Sequence, residues 1–407
     1  MKQKDDKIID LTEHVKWIGI LDYDIRTFDI VMNTEFGTTY NSFFINTERK
    51  TLVDVAKEKF SEVWFDKLRA LTDPSDISYI VINHTEPDHS GSLGMLLDAA
   101  PSATVVGSGS GIRYLADMIA KPFNSIVVKD GDTLDLGSGK LKFISAPNLH
   151  WPDSMFTWFE EDRILFTCDV FGAHYCDSRM FSDIESQDYM KAYKYYFDVI
   201  MKPYSRFMIK AIEKIRDLDI NLICPGHGPV HSENLRDMVM LSENYAIEYL
   251  KQVESKDEKK ILVAYVSAYG YTKQAADLIA SGTRETGDFS IDIADIETMP
   301  AEELESKLVS SDAILIGSPT INQNTLLPVY RLFSLINPIR DKGKMAGVFG
   351  SYGWSGEAPK IISETLRNLK LRVFDETAGF KFAPGNGKKE TLTEFGRQFA
   401  REFLKYC

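Results

Sequence analysis

Cysteine is scarce in this chain of 407 residues. There are four, Cys168, Cys176, Cys224 and Cys407, and no CxxC pair among them. That spacing excludes an appended rubredoxin-type iron module and a cysteine-held iron–sulfur cluster of the usual pattern. Scattered single cysteines fit a reducing cytoplasm. Cys168 and Cys224 lie in apolar strand-like runs and read as small buried side chains. No run of about 18 apolar residues occurs, so no membrane span is expected. The charged N-terminus, Met1 to Lys7, leads to no apolar signal core. Basic residues are outnumbered, 47 Lys and Arg against 60 Asp and Glu. A net charge of −13 argues against a nucleic-acid surface and permits a partner with a basic patch. The absence of GxGxxG argues against a nicotinamide-type Rossmann domain.

What is present is the composition of a soluble globular protein, 44% hydrophobic and 26% charged. The length exceeds one ordinary core and predicts two domains, 1–255 and 256–407. The chemistry centres on His84-Thr85-Glu86-Pro87-Asp88-His89, between the apolar run Tyr79-Ile80-Val81-Ile82 and Ser90-Gly91-Ser92-Leu93-Gly94. The prediction is a strand, a tight polar loop and a helix. His84, Glu86, Asp88 and His89 each offer a lone pair to a metal. Alternation places residues 84, 86 and 88 on one side of an extended segment. His89 then turns to the other side of the same pocket, so one loop serves two metals. The competing reading is a helix N-terminus capped by Asp88 or Ser90. It weakens because ligand-type residues recur at later strand ends, at His150, Asp169 and His227.

Residues 14–57 read as an antiparallel meander, with strands at 14–21, 39–45 and 51–55 and a turn at 46–50. Helical spacing of Phe60, Val63, Trp64, Leu68 and Leu71 predicts an amphipathic helix over 57–71. Helices are expected near 91–100 and 109–119, β structure over 125–170, a helical stretch over 187–217 and a strand at 221–224. His174 is expected to cap or bond the backbone rather than border the metal pocket. His231 is expected to be exposed or a cap, and His14 structural. Tyr193, Tyr195 and Tyr196 share one helix, either as buried aromatics or with a phenol reaching the metal pocket.

A charged hinge is expected at 246–260. After it, Ile261-Leu262-Val263-Ala264-Tyr265-Val266 has the continuous apolar character of a central parallel strand. The loop Ser267-Ala268-Tyr269-Gly270-Tyr271-Thr272 then leads into a helix, which makes an anion site from backbone N–H groups. Two further strands end in Pro319-Thr320-Ile321-Asn322 and in Ser351-Tyr352-Gly353-Trp354-Ser355-Gly356. Strand–helix alternation to the end predicts a doubly wound sheet with ligand loops at the strand C-termini.

The first half resembles the metallo-β-lactamase fold, an αββα sandwich whose loops hold two metals at one sheet edge. The usual motif there is HxHxDH; here Glu86 replaces the second histidine. HxExDH, a later histidine, an aspartate and a final GHG resemble the flavodiiron proteins (A-type flavoproteins), in their minimal two-domain form. A carboxylate is a harder ligand than imidazole and shifts preference from zinc towards iron. The resemblance implies one iron on His84, Glu86 and His150, and a second on Asp88, His89 and His227. Asp169 would bridge them, with a hydroxo or oxo group as second bridge.

The second half resembles flavodoxin. The resemblance implies FMN, with its phosphate on residues 267–272 and its isoalloxazine flanked by 319–322 and 351–356, Trp354 or Tyr352 stacking on the ring. It also implies an oxidoreductase that reduces O2 to water, NO to N2O, or both. Electrons would come through FMN from a separate donor: rubredoxin, a reductase or reduced coenzyme F420. A head-to-tail homodimer, or a tetramer built from it, is implied as well. Two alternatives stand beside this. One is a zinc-dependent hydrolase of the same sandwich with an appended flavodoxin domain, against which Glu86 speaks. The other is an electron-transfer flavoprotein with a vestigial metal site, against which the complete ligand set speaks.

Overall fold

In the strands Phe43–Ile45, Thr51–Val53, Tyr79–Val81 and Thr104–Ser108, successive residues face opposite sides. Phe44, Leu52, Ile80 and Val105 share a core with Trp64 and Leu68 of helix Ser61–Leu71, Leu93 and Leu96 of helix Leu93–Ala99, and Leu115 of helix Gly109–Ile119. Phe43, Val53, Val81 and Val106 turn the other way. They meet Phe143, Met155, Phe166 and Cys224 of a second sheet. The outer face of that sheet, with Ile144, Phe156, Leu165 and Ile223, is covered by Ile212 and Ile215 of helix Ser205–Ile215 and Ala246 of helix Leu235–Glu254. The result is an αββα sandwich. A computed structural model describes residues 7–29, 32–182, 186–254 and 259–406. The chain divides into two units, Met1–Leu250 and Lys251–Cys407.

Among the described residues the first sheet has seven strands and the second five. The second ends with Ile164–Cys168 beside Leu222–Pro225, paired in parallel. Asp169 and His227 therefore leave neighbouring strand ends side by side.

Three expectations need correction. The runs 14–21 and 39–45 are each two strands, not one. Val15–Trp17 pairs with Phe43–Ile45, whereas Ile20–Asp22 pairs with Thr38–Tyr40 in a separate ribbon. Gly19 stands at the first break, where a Cβ would lie 2.4 Å from the Tyr40 carbonyl oxygen. Buried Asn41 and Ser42 stand at the second. The alternation predicted through 84, 86 and 88 stops at Glu86, because Pro87 opens a helical turn, Pro87–Ser90. Proline's fixed φ suits that first position. Finally, residues 246–254, expected in a hinge, continue helix Leu235–Glu254, with Ala246 and Tyr249 buried; residues 255–258 of that hinge lie outside the described residues. The stretch 187–217 is helical but interrupted near Pro203, which lacks an N–H for the ladder.

Among the described residues of the second unit a five-stranded parallel sheet runs in the order Phe289–Asp295, Lys259–Tyr265, Ala313–Gly317, Met345–Tyr352, Arg372–Lys381. Both faces of the central strands Lys259–Tyr265, Ala313–Gly317 and Met345–Tyr352 are buried, as their apolar runs require. Ile261, Val263 and Tyr265 pack with Ala275, Ile279, Phe395 and Phe399. Leu262, Ala264 and Val266 pack with Leu304, Leu332 and Ile362. This 2-1-3-4-5 strand order is the doubly wound arrangement whose ligand crevice lies at the strand C-termini. No helix among the described residues is long and apolar enough to cross a membrane.

Candidate functional site

All seven predicted ligand residues of the first unit converge. His84, Glu86, His150 and Asp169 form one group and Asp88, His89 and His227 another. Asp169 joins them. Its Oδ2 lies 3.5 Å from His84 Nε2 and 3.2 Å from His150 Nε2. Its Oδ1 lies 3.1 Å from His89 Nε2 and 3.6 Å from His227 Nε2. Glu86 Oε2 sits 3.1 Å from both His84 Nε2 and His150 Nε2, and Asp88 Oδ2 3.0 Å from His227 Nε2. A register shift between Phe166 and Cys168 re-aims the end of the strand that carries Asp169. Cys168 and Phe171, on either side, hold φ values of 46° and 65°. Such left-handed backbone at non-glycine residues costs about 1–2 kcal/mol each and is kept where the surroundings over-determine it.

The chemistry of this group fits two cations. Both oxygens of Asp88 and Oδ2 of Asp169 are buried and accept no hydrogen bond, although imidazole nitrogens lie within ion-pair distance. Nitrogens and oxygens facing one another without hydrogen-bond geometry are lone pairs aimed at a shared point. Buried carboxylates left so are costly unless a charge sits between them. Burial by itself lowers the imidazoles, but the facing carboxylates outweigh it. Asp153 and Glu86 push His84 up to about 10, Asp169 and Glu86 push His150 up to about 10, and Asp88 and Asp169 push His89 up to about 9. Burial likewise raises Asp169, but the His89, His150 and His84 imidazoles hold it well below the usual carboxylate range. Cations that bind here displace those protons.

The supporting contacts were mostly not legible. His227 Nδ1 donates to the Thr39 carbonyl at 2.6 Å, which leaves Nε2 as the lone pair. Asp153 Oδ2 lies 3.5 Å from His84 Nδ1 and accepts the Thr85 N–H at 2.8 Å. Nothing in the spacing marks Asp153. Gly226 has no room for a side chain, because a Cβ would lie 2.6 Å from His89 Cε1. Of the three tyrosines, Tyr196 reaches the cluster and donates to Asp169 Oδ1 at 3.1 Å. Tyr193 instead bonds Ser242 at 2.5 Å, and the Tyr195 hydroxyl accepts the Asn33 N–H. His174 does not bond the backbone. Its Nδ1 meets the Thr38 hydroxyl at 2.9 Å, its ring packs 4.9 Å from Tyr196 and 5.1 Å from His227, and Nε2 has no partner among the described residues. His231, expected exposed or capping, is fully buried, with Nε2 donating to the Phe171 carbonyl at 2.8 Å. His14 bonds Asp162 at 2.9 Å.

In the second unit the three predicted loops meet at the strand C-termini. Thr272 Oγ1 and Ser351 Oγ are 2.9 Å apart, and the Thr320 N–H donates to the Ser351 carbonyl at 2.8 Å. Helix Tyr271–Arg284 begins after Gly270, at φ 78°, which offers no capping side chain, and the Ser267 hydroxyl accepts the Lys273 N–H at 3.3 Å. The start of this helix, with its dipole and the loop before it, suits a phosphate. Trp354 is 82% exposed and Tyr269 79%, an unusual state for large aromatics and one that suits a planar ring system. Tyr352 is half-buried, and a Cβ at Gly356 would lie 3.0 Å from its ring. Of the two residues expected to stack, Trp354 is therefore the one left open.

The family model described as ODP family beta lactamase matches residues 38–228, and the flavodoxin model matches residues 263–396. The chain is 37% identical over 398 residues to the flavo-diiron protein FprA2 of Clostridium acetobutylicum, covering 97% of this chain and 99% of that protein. The chain belongs to the flavodiiron proteins. It is also 36% identical to the type A flavoprotein fprA of Rhodobacter capsulatus, over 95% of this chain and 89% of that one. Among solved structures it resembles rubredoxin oxygen:oxidoreductase from Desulfovibrio gigas (TM-score 0.68, 28% identity, 98% and 99% of the chains). It also resembles the flavodiiron protein of Giardia intestinalis (TM-score 0.66, 31% identity, 98% of each chain). As a flavodiiron protein it is an oxidoreductase with FMN and a diiron centre, and the two folds are metallo-β-lactamase-like and flavodoxin-like.

Proposed function

We propose that this flavodiiron protein reduces O2 to water, NO to N2O, or both, with electrons from a separate donor. His84, Glu86 and His150 would hold one iron and Asp88, His89 and His227 the other, with Asp169 shared between them. The observation that carries this reading is the division of Asp169, with Oδ2 towards His84 and His150 and Oδ1 towards His89 and His227. The loops 267–272, 319–322 and 351–356 would hold FMN, with the exposed Trp354 available to its ring. When bound, these groups supply electrons: four, with four protons, turn O2 into two waters, and two, with two protons, turn two NO into N2O and water.

The chain's own residues shape that chemistry. Tyr196 holds a proton at its hydroxyl against Asp169 Oδ1, where burial and the Asp169 charge push the phenol well above its ordinary range. Trp151 stands edge-on to His84 at 5.1 Å and shields that imidazole from water. A head-to-tail homodimer, setting the flavin loops of one chain against the metal cluster of another, belongs to the proposal. The Desulfovibrio gigas relative is named for rubredoxin and oxygen, which supports O2 as a substrate and a rubredoxin-like donor.

The test is anaerobic stopped-flow. Protein loaded with FMN and iron is reduced and mixed separately with O2 and with NO. Fast reoxidation with water or N2O as product is expected, and the ratio of rates names the preferred gas. Reoxidation no faster than free flavin, with zinc in the cluster, would contradict the proposal and favour a hydrolase.

A further inference from the structure

The loop carrying His227 does not hold itself. Gly228 sits at φ 78°, Gly226 lies against the His89 ring, and a Cβ on Gly228 would be 2.5 Å from the Ala173 carbonyl oxygen. Two buried side chains, nearly 190 positions earlier, take up its backbone groups. Asn41 Nδ2 donates to the Pro225 carbonyl at 2.7 Å and the Gly228 carbonyl at 2.8 Å, and the Asn41 backbone N–H donates to the Gly226 carbonyl at 2.9 Å. Thr39 Oγ1 accepts the Gly228 N–H at 2.7 Å and donates to Asn41 Oδ1 at 2.8 Å. The Thr39 carbonyl accepts from His227 Nδ1 at 2.6 Å. Asn41 Oδ1 also accepts from Trp17 Nε1 at 2.9 Å, which orients the amide.

Asn41 and Thr39 thus grip both flanks of His227 and the imidazole itself. The break between strands Thr38–Tyr40 and Phe43–Ile45 has a reason in this arrangement: at Asn41 the backbone N–H turns to Gly226 instead of to a neighbouring strand. Both residues are fully buried. Neither reaches the other trio: among the described residues no bond runs from them to His84, Glu86 or His150.

We propose that Thr39 and Asn41 are positioning residues for His227, and that they set how firmly iron is held at the Asp88–His89–His227 position without acting on the other. This rests on the assignment of the seven iron ligands above. Residues that orient a metal ligand through a hydrogen bond typically govern affinity by about 10–100-fold. An effect of that size, confined to one of two adjacent positions, is the signature.

The experiment follows the release of iron to a chelator from the FMN-loaded, iron-loaded protein, with Mössbauer spectra of what remains. Thr39→Val keeps the shape and removes the hydroxyl; Thr39→Ser restores it. Asn41→Asp keeps the outline but turns an oxygen towards the Pro225 and Gly228 carbonyls. In wild type both irons leave slowly. In Thr39→Val one iron is expected to leave about 10–100-fold faster, leaving a single uncoupled iron. Asn41→Asp should be at least as severe, and Thr39→Ser near wild type. Because the buried Gly228 N–H then lacks its acceptor, metal-free Thr39→Val should melt modestly below metal-free wild type, a change that by itself would loosen both irons alike. Wild-type release from Thr39→Val, equal acceleration at both positions, a lowered metal-free melting temperature that accounts for the loss, or failure of Thr39→Ser to recover would each overturn the proposal. Wild-type protein that never holds two irons would instead overturn the ligand assignment.

Discussion

The two cofactor sites are built in opposite ways. The metal cluster is made of side chains, with His84 and His89 fully buried and Asp88, Asp169 and His227 nearly so. The loops proposed for FMN lie at strand ends, and their large aromatics, Trp354 and Tyr269, stand in the open. Charge follows the same division. Acidic and basic residues balance in Lys251–Cys407, so the net −13 belongs to the first unit. Buried carboxylates without partners are costly. A site of that kind therefore needs a frame of supporting bonds assembled before the metal arrives: Thr39, Asp153, Tyr196. A site built from strand-end N–H groups needs only the parallel sheet beneath it.

That contrast can be broken or sharpened by substitution. The largest effect is expected from Asp169→Asn, which removes the shared charge. Iron retention should fall by about 100-fold or more at both positions, while FMN content stays at wild-type level. Parallel loss of FMN would show that the sites are not independent. Gly226→Ala comes next, because the new methyl would press on the His89 ring. Overpacking of this kind costs about 1–3 kcal/mol, read as a lower melting temperature together with weaker iron binding.

A pH prediction concerns His231, packed against Tyr189 and Tyr193 and bonded to the Phe171 carbonyl and Ser182. Burial pushes it down from 6.5 to about 4. The unfolded chain therefore takes up this proton first as pH falls. The contribution of His231 to stability is full above about 6.5 and is lost between there and about 4, up to about 3 kcal/mol. Chemical denaturation of His231→Gln across that window should show a flatter profile than wild type; identical profiles would refute it. The smallest effect belongs to Trp354→Ala. Losing one aromatic face should weaken FMN by about 0.5–1.5 kcal/mol, by titration, with iron content and apo-protein stability unchanged.

The same contrast explains what the sequence made legible. His84, Glu86, Asp88, His89, His150, Asp169 and His227 were visible because metal chemistry restricts residue type, and the structure brings them together. The three loops expected to hold FMN were visible as strand ends, but not which aromatic stays free. Tyr352 and Trp354 are two residues apart, and packing of Tyr352 against Gly356 and Gly379 separates them. The supporting frame was hardest to see. Asn41 and Thr39 lie in an ordinary strand-like run, and their partners at 225–228 are fixed by tertiary contact alone. The helical turn at Pro87 overrode a period-two pattern that fitted Glu86 but not Asp88. His231 was misplaced because a histidine after a GHG turn carries no mark of its pairing with Ile223.

The central claim is that one carboxylate, Asp169, joins two irons held by six other side chains. Metal analysis and Mössbauer spectroscopy of the FMN-loaded protein test it directly. Two irons per chain in a spin-coupled pair are expected, collapsing on Asp169→Asn. Zinc in the cluster, or iron that shows no coupling in the wild-type protein, would contradict the account.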